Sequence, residues 1–190
     1  MRRRAVLLAA LVALCAACGE QSFKSTDITG AEFGRDLALA DPSGQVRTLA
    51  DFKGKAVLVF FGFTQCPDVC PTTLAKMREV KQALGKDGER LQVLFITVDP
   101  ERDTPDLLKA YAAAFDPAFL GLRPTPEQLP ALAKSFKIFY QKVPGKTPGS
   151  YSMDHTALSY VYDPQGRLRL AVAHNADVAT IVADLKKLLG

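Results

Sequence analysis

The sequence predicts an α/β domain in which a central mixed sheet is flanked by helices, and three observations carry that prediction. Residues Ala56 to Phe63 are almost continuously apolar and rich in Val and Phe, the pattern of a strand buried on both faces. A second apolar run, Leu91 to Val98, follows a helical stretch, and strand, helix, strand at this spacing make a parallel pair with a right-handed crossover. Near the carboxyl end, Ala157 to Tyr162 and Leu168 to Ala173 alternate around Asp163-Pro164-Gln165-Gly166, which reads as an antiparallel hairpin. A chain of 190 residues, 48% hydrophobic and 23% charged, is long enough for one well-buried domain and short for two.

The first eighteen residues read as an export signal. Met1-Arg2-Arg3-Arg4 is a basic region, Ala5 to Leu14 an apolar core, and Cys15-Ala16-Ala17-Cys18-Gly19 a small-residue cleavage zone. The apolar part is too short for a comfortable membrane span. Cys18 after two alanines resembles a bacterial lipoprotein box, with Cys15 where such boxes usually carry Leu. It implies cleavage before Cys18, an acylated Cys18 as lipid anchor, and a mature protein on the periplasmic or other extracytoplasmic face of a membrane. With Arg2, Arg3 and Arg4 removed, the 24 basic and 20 acidic residues become 21 against 20, a net charge near +1. No basic stripe remains to argue for nucleic acid.

Residues 19–30 are polar and without period from Ser22 onwards, and are expected to be a flexible tether to a single domain over 31–190. Asp36 to Asp41 and Gln45 to Leu49, around Pro42-Ser43-Gly44, form an N-terminal β-hairpin. After the first buried strand, Leu74, Met77 and Leu84 keep to one face of a helix, and Pro71 suits its first turn, where no backbone N–H is needed. Thr104 and Pro105 cap and begin a second helix with Leu107, Leu108, Tyr111, Ala112 and Phe115 on its apolar face. Leu129, Leu132, Ala133 and Phe136 mark a third. Val143 to Met153, holding Pro144, Gly145, Pro148 and Gly149, reads as an exposed loop. Val178, Ile181, Val182, Leu185, Leu188 and Leu189 line a terminal helix.

Cys66 and Cys70 stand at the first strand-to-helix turn, and they are the only cysteines outside the signal region. The positive end of the helix dipole favours thiolate over thiol, so both sulfurs are expected to be more ionised than a free cysteine. A purely structural disulfide is a poor explanation, because so short a loop removes little chain entropy. Ser152-Met153-Asp154-His155-Thr156 precedes the strand that begins near Ala157. If that strand runs antiparallel to Ala56 to Phe63, His155 faces Cys66 and Cys70. Asp99, closing the parallel strand Leu91 to Val98, reaches the same sheet edge, where open α/β sheets place their sites. Two thiolates and an imidazole make a soft three-ligand site that suits copper, as Cu(I) or Cu(II), somewhat better than zinc. Asp99 is a candidate to tune the thiolates or meet a partner, or else simply bonds its own turn. Arg102 and Asp103 are assigned to a surface ion pair and to capping, Met77 to the core, Met153 to a loop without ligation, and His174 to the surface.

The element order with a cysteine pair at the first strand-to-helix turn resembles the thioredoxin fold. It departs from ordinary thioredoxins in having three residues between the cysteines and no proline immediately before the hairpin strand. Gly62-Phe63-Thr64-Gln65-Cys66-Pro67-Asp68-Val69-Cys70-Pro71, Val98-Asp99-Pro100-Glu101-Arg102-Asp103-Thr104 and Asp154-His155-Thr156 together resemble the three signature blocks of the Sco/SenC family. The resemblance implies a membrane-anchored thioredoxin-like domain that binds one copper through Cys66, Cys70 and His155. It further implies a copper metallochaperone for the dinuclear copper site of cytochrome c oxidase, with that enzyme's copper-receiving subunit as partner, and leaves open a separate copper donor. The alternative is a thiol-disulfide reductase, with Cys66 and Cys70 as its redox-active pair, that keeps the cysteines of that subunit reduced. Cys70-Pro71-Thr72 is similar to the peroxidatic motif of peroxiredoxins, but Pro67 stands where those enzymes carry threonine.

Overall fold

The structure, a computed structural model, describes residues 22–190. The expected export signal and Cys18 lie outside the described residues. Six strands form the central sheet: β1 (Thr26–Asp27), β4 (Ala56–Gly62), β5 (Leu91–Thr97), β6 (Leu120–Leu122), β9 (Leu158–Tyr162) and β10 (Leu168–Ala173), in the order β1-β10-β9-β4-β5-β6. Two strand pairs stand apart from it: β2 (Ala38–Ala40) with β3 (Val46–Thr48), and β7 (Tyr140–Pro144) with β8 (Tyr151–His155). The helices are α1 (Val69–Ala83), α2 (Pro105–Ala113), α3 (Leu129–Ser135) and α4 (Val178–Leu189).

Every residue of β4 and β5 is buried, which is why both read as unbroken apolar runs. They pair in parallel, Phe60 opposite Phe95 and Gly62 opposite Thr97, so both strands end at one sheet edge. On its other side β4 pairs antiparallel with β9, Phe60 opposite Ser159, and the start of β9 therefore lies at that edge too. Leu74, Met77 and Val80 of α1 pack into the core, and α4, with Ile181, Leu185 and Leu189 buried, packs beside α1. Thr104 caps α2, its hydroxyl accepting from the Leu107 N–H at 3.3 Å. Leu107 itself is 40% exposed, so the apolar face of α2 is narrower than its sequence suggests.

Two stretches depart from expectation. The polar segment after Gly19 was expected to be a tether, yet its described part is built into the fold. Thr26 and Asp27 extend the sheet beside Ala171 and Leu170, and the backbone N–H groups of Lys24 and Ser25 donate to the buried Asp184 carboxylate at 2.8 and 2.7 Å. A two-residue polar edge strand, preceded by backbone that satisfies a buried acid, leaves no apolar period to read. The stretch Val143 to Met153 was expected to be a loop, yet it contributes to the β7–β8 hairpin, with Tyr140 opposite His155 and Pro144 opposite Tyr151. Its prolines and glycines cluster near the tip, where the Gly145 N–H donates to the Ser150 carbonyl at 2.8 Å. Most hairpin side chains between 141 and 150 are exposed and polar, so the alternation that marks a half-buried strand is missing.

Candidate metal centre

The site assembles where β4, β5 and the start of β9 end together. Beyond β4, Phe63 is buried and the chain turns, the Cys66 N–H donating to the Phe63 carbonyl at 3.2 Å. Asp68 precedes α1 without a side-chain cap, and Cys70 is the second helical residue, fully buried, whereas Cys66 in the turn is half-buried. The Cys70 N–H points at the Cys66 sulfur, 3.4 Å away.

His155 closes β8 and faces the pair. Its Nε2 lies 3.8 Å from the Cys70 sulfur and its Nδ1 3.1 Å from the Thr156 carbonyl. A carbonyl only accepts, so in the neutral imidazole Nδ1 carries the proton and Nε2 presents its lone pair to the cysteines. Phe60 and Phe63 meet the imidazole edge-on, with centroids 6.3 and 5.9 Å away. The two sulfurs and one ring nitrogen all lie within 4.8 Å of one another. Beside them opens a shallow cavity of about 160 Å³, lined by Phe63, Cys66, Pro67, Met153 and His155 among others. Two sulfurs and an imidazole with a free lone pair could hold a soft metal ion, copper or zinc, with room for a further ligand on the open side.

The cysteines are not equivalent. A hydrogen bond from the Cys70 thiol holds Cys66 down at about 5; burial opposes this, and the backbone N–H groups of Cys70 and Asp68 and the nearby His155 reinforce it. The same bond, together with burial, pushes Cys70 far up. The expectation that both sulfurs are unusually ionised is therefore corrected for Cys70: Cys66 is the more readily ionised of the two, and the buried Cys70 is held towards its thiol form.

Asp99 reaches the expected edge and is buried, but both of its oxygens are engaged elsewhere. Oδ2 pairs with the Arg102 Nε, and Oδ1 accepts from the Tyr151 hydroxyl at 2.9 Å. Asp103 was assigned to capping; instead it is fully buried beneath the cysteine turn. It accepts from the Thr64 N–H at 3.1 Å, from the Thr64 hydroxyl at 2.5 Å and from the Thr97 hydroxyl at 2.6 Å. The available signal was a threonine at or just past the end of each parallel strand, Thr97 and Thr64. Nor is Arg102 a surface group, since its partner Asp99 is almost wholly buried. Met77 lies in the core, and Met153 is buried in β8 beside the cavity. His174 is exposed, its carbonyl accepting from Lys76 at 2.5 Å. Among the described residues, no helix is long and apolar enough to cross a membrane.

Residues 25–190 match the family model described as SCO1/SenC. A SCO2-like protein of Rickettsia felis is 39% identical over 137 residues, which cover 72% of this chain and 67% of the relative. The solution structures of apo Sco1 from Thermus thermophilus superpose with a TM-score of 0.77 at 44% identity, covering 90% of this chain and 99% of that one. The structure of Bradyrhizobium japonicum ScoI with copper bound gives 0.72 at 39% identity, covering 88% and 99%.

Proposed function

The chain belongs to the SCO1/SenC family, and from that premise we propose that it is a copper metallochaperone. Cys66, Cys70 and His155 take one copper ion as cargo and pass it to the copper-receiving subunit of cytochrome c oxidase, where the dinuclear copper site is assembled. The observation that carries this reading is the convergence of two sulfurs and one imidazole nitrogen within 4.8 Å, with Nε2 3.8 Å from the Cys70 sulfur. Thiolates select Cu(I), and imidazole serves both copper states. The copper-bound Bradyrhizobium relative supports copper over zinc. Cys66 meets the ion as a thiolate and Cys70 gives up its proton on binding. His155 completes the set, and its withdrawal eases transfer by ligand exchange. In this reading the mature protein is held by acylated Cys18 at the extracytoplasmic face of a bacterial membrane.

The unequal cysteines favour a second reading, reduction of a disulfide in the receiving subunit. The Cys66 thiolate attacks one partner sulfur, forming a mixed disulfide and releasing a partner thiolate. Cys70 then loses its proton and attacks the Cys66 sulfur, which releases the second partner thiolate. Two electrons pass to the partner, and Cys66 and Cys70 end as a disulfide.

A copper titration of the reduced protein, followed by sulfur-to-Cu(II) absorption and electron paramagnetic resonance beside His155→Ala, separates the two. One copper per chain with a charge-transfer band that the histidine substitution alters supports the chaperone. Absence of the band, or oxidation of Cys66 and Cys70 to a disulfide without retained copper, supports the reductase.

A further inference from the structure

The cysteines and the histidine of this site belong to different sheets. Cys66 and Cys70 follow β4 of the central sheet, whereas His155 ends β8, which pairs with β7. No main-chain ladder joins that hairpin to the central sheet among the described residues. A two-stranded hairpin has little stability of its own, so side-chain contacts must set where this one lies. At its base the hairpin is tied by chain continuity, through Thr156 and Ala157 to β9, the Thr156 N–H donating to the Phe139 carbonyl at 3.0 Å only prolongs its own pairing, and midway along β8 Met153 is buried in the core. Nearer its tip, the contacts converge on one residue of the turn after β5.

That residue is Arg102. Its guanidinium stacks on the Tyr151 ring with the central carbon 3.7 Å from the centroid, and Nη1 donates to the Tyr151 carbonyl at 2.8 Å. Nη1 also donates to Oε1 of Gln65, the neighbour of Cys66, at 3.1 Å. Nε pairs with Asp99, whose other oxygen accepts from the Tyr151 hydroxyl. The guanidinium also lies 5.9 Å from the Phe63 ring, against which His155 rests edge-on. One side chain thus grips both the cysteine turn and the strand carrying the histidine. The nearby Lys142 and Glu101 pair, at 2.6 Å, is exposed on both sides and adds little.

We infer that Arg102 is a positioning residue for the metal site, a latch that clamps Tyr151 to the cysteine turn and so holds His155 over Cys66 and Cys70. The inference deepens the metal-site reading above and rests on it only for its copper readout. A planar fork makes the stack and the two Nη1 bonds simultaneously, which a lysine ammonium cannot reproduce.

The test uses Arg102→Met and, because a change in the buried turn can disturb folding, Tyr151→Leu on the hairpin as a second route to the same lesion. In the reduced, metal-free protein, either substitution should speed hydrogen exchange at the Tyr151–His155 amides by about tenfold or more while β9 keeps its protection. Unchanged exchange at Tyr151–His155, or equal acceleration throughout β9, would overturn the latch whether or not the protein takes up copper. With Cu(I) competed from a colorimetric chelator, each substitution should weaken binding about 10- to 100-fold. In a His155→Ala background it should have no further effect. Equal losses in both backgrounds would place Arg102 outside the histidine's positioning and overturn the inference. A wild-type protein that binds copper no better than Cys66→Ser would sink the metal-site reading alone and leave the exchange result to decide the latch.

Discussion

A Cβ at position 62 would stand 2.8 Å from the Cys70 sulfur and 2.6 Å from Cε2 of Phe95, so the buried cysteine lies against Gly62 where no side chain fits. Both neighbours are fully buried and have nowhere to go. Gly62→Ala should therefore destabilise the protein by about 1–3 kcal/mol in urea denaturation and shift Cys70 away from Cys66. An unchanged midpoint together with an unchanged rate of Cys66–Cys70 oxidation would show that the helix start yields freely.

The unequal cysteines predict a pH profile. A thiolate forms as pH rises through its pKa, so alkylation of Cys66 by iodoacetamide should rise through about pH 5 and flatten by pH 7. Cys70, held protonated and buried, should stay unlabelled in the folded protein over that range. Removing the donor with Cys70→Ala should move the Cys66 inflection upward. Peptide mass spectrometry after timed labelling reads both sites.

Asp103→Ala should cost about 3 kcal/mol or more, because it strands the Thr64 N–H and the hydroxyls of Thr64 and Thr97 without their acceptor. Thr64→Ala removes one hydroxyl donor and should cost less. Denaturation of the two variants side by side checks the order, and a milder Asp103→Ala would mean that the turn finds another partner.

The amino-terminal segment should come loose in Asp184→Asn. The amide keeps one acceptor and sets an NH2 group against a backbone N–H that the carboxylate had satisfied. Hydrogen exchange at residues 24–28 should accelerate, consistent with a local loss of about 1–3 kcal/mol, while β4 and β5 keep their protection.

What the sequence made legible follows the physics of burial. β4 and β5 lie deep in the sheet, so their composition alone declared them, and their shared direction placed Asp99 at the right edge. His155 could be placed on the condition that the hairpin strand after it ran antiparallel to β4, as it does. The β7–β8 hairpin was opaque because β7 and the tip face solvent, and the alternation of β8, with Met153 buried between the exposed Ser152 and Asp154, is confined to five residues beside a tip rich in Pro and Gly. β1 was opaque because its partners are backbone groups of β10, and the residues just before it, Lys24 and Ser25, are held by the distant Asp184. The parts assigned to Arg102 and Asp103 were misjudged for one reason: a charged residue in a turn reads as exposed, while its burial is decided by Tyr151, Thr64 and Thr97 from elsewhere in the chain.

The unequal acidity of Cys66 and Cys70 also bears on the electrochemistry of the pair. With Cys66 ionised and Cys70 protonated, forming the disulfide removes two electrons but only one proton. Near neutral pH the midpoint potential should therefore fall by about 30 mV per pH unit, half the slope of a dithiol that starts with both protons. Acidification thus makes this pair a stronger oxidant more gradually than it does an ordinary dithiol, and the cysteines keep their reducing power over a wider span of acidity.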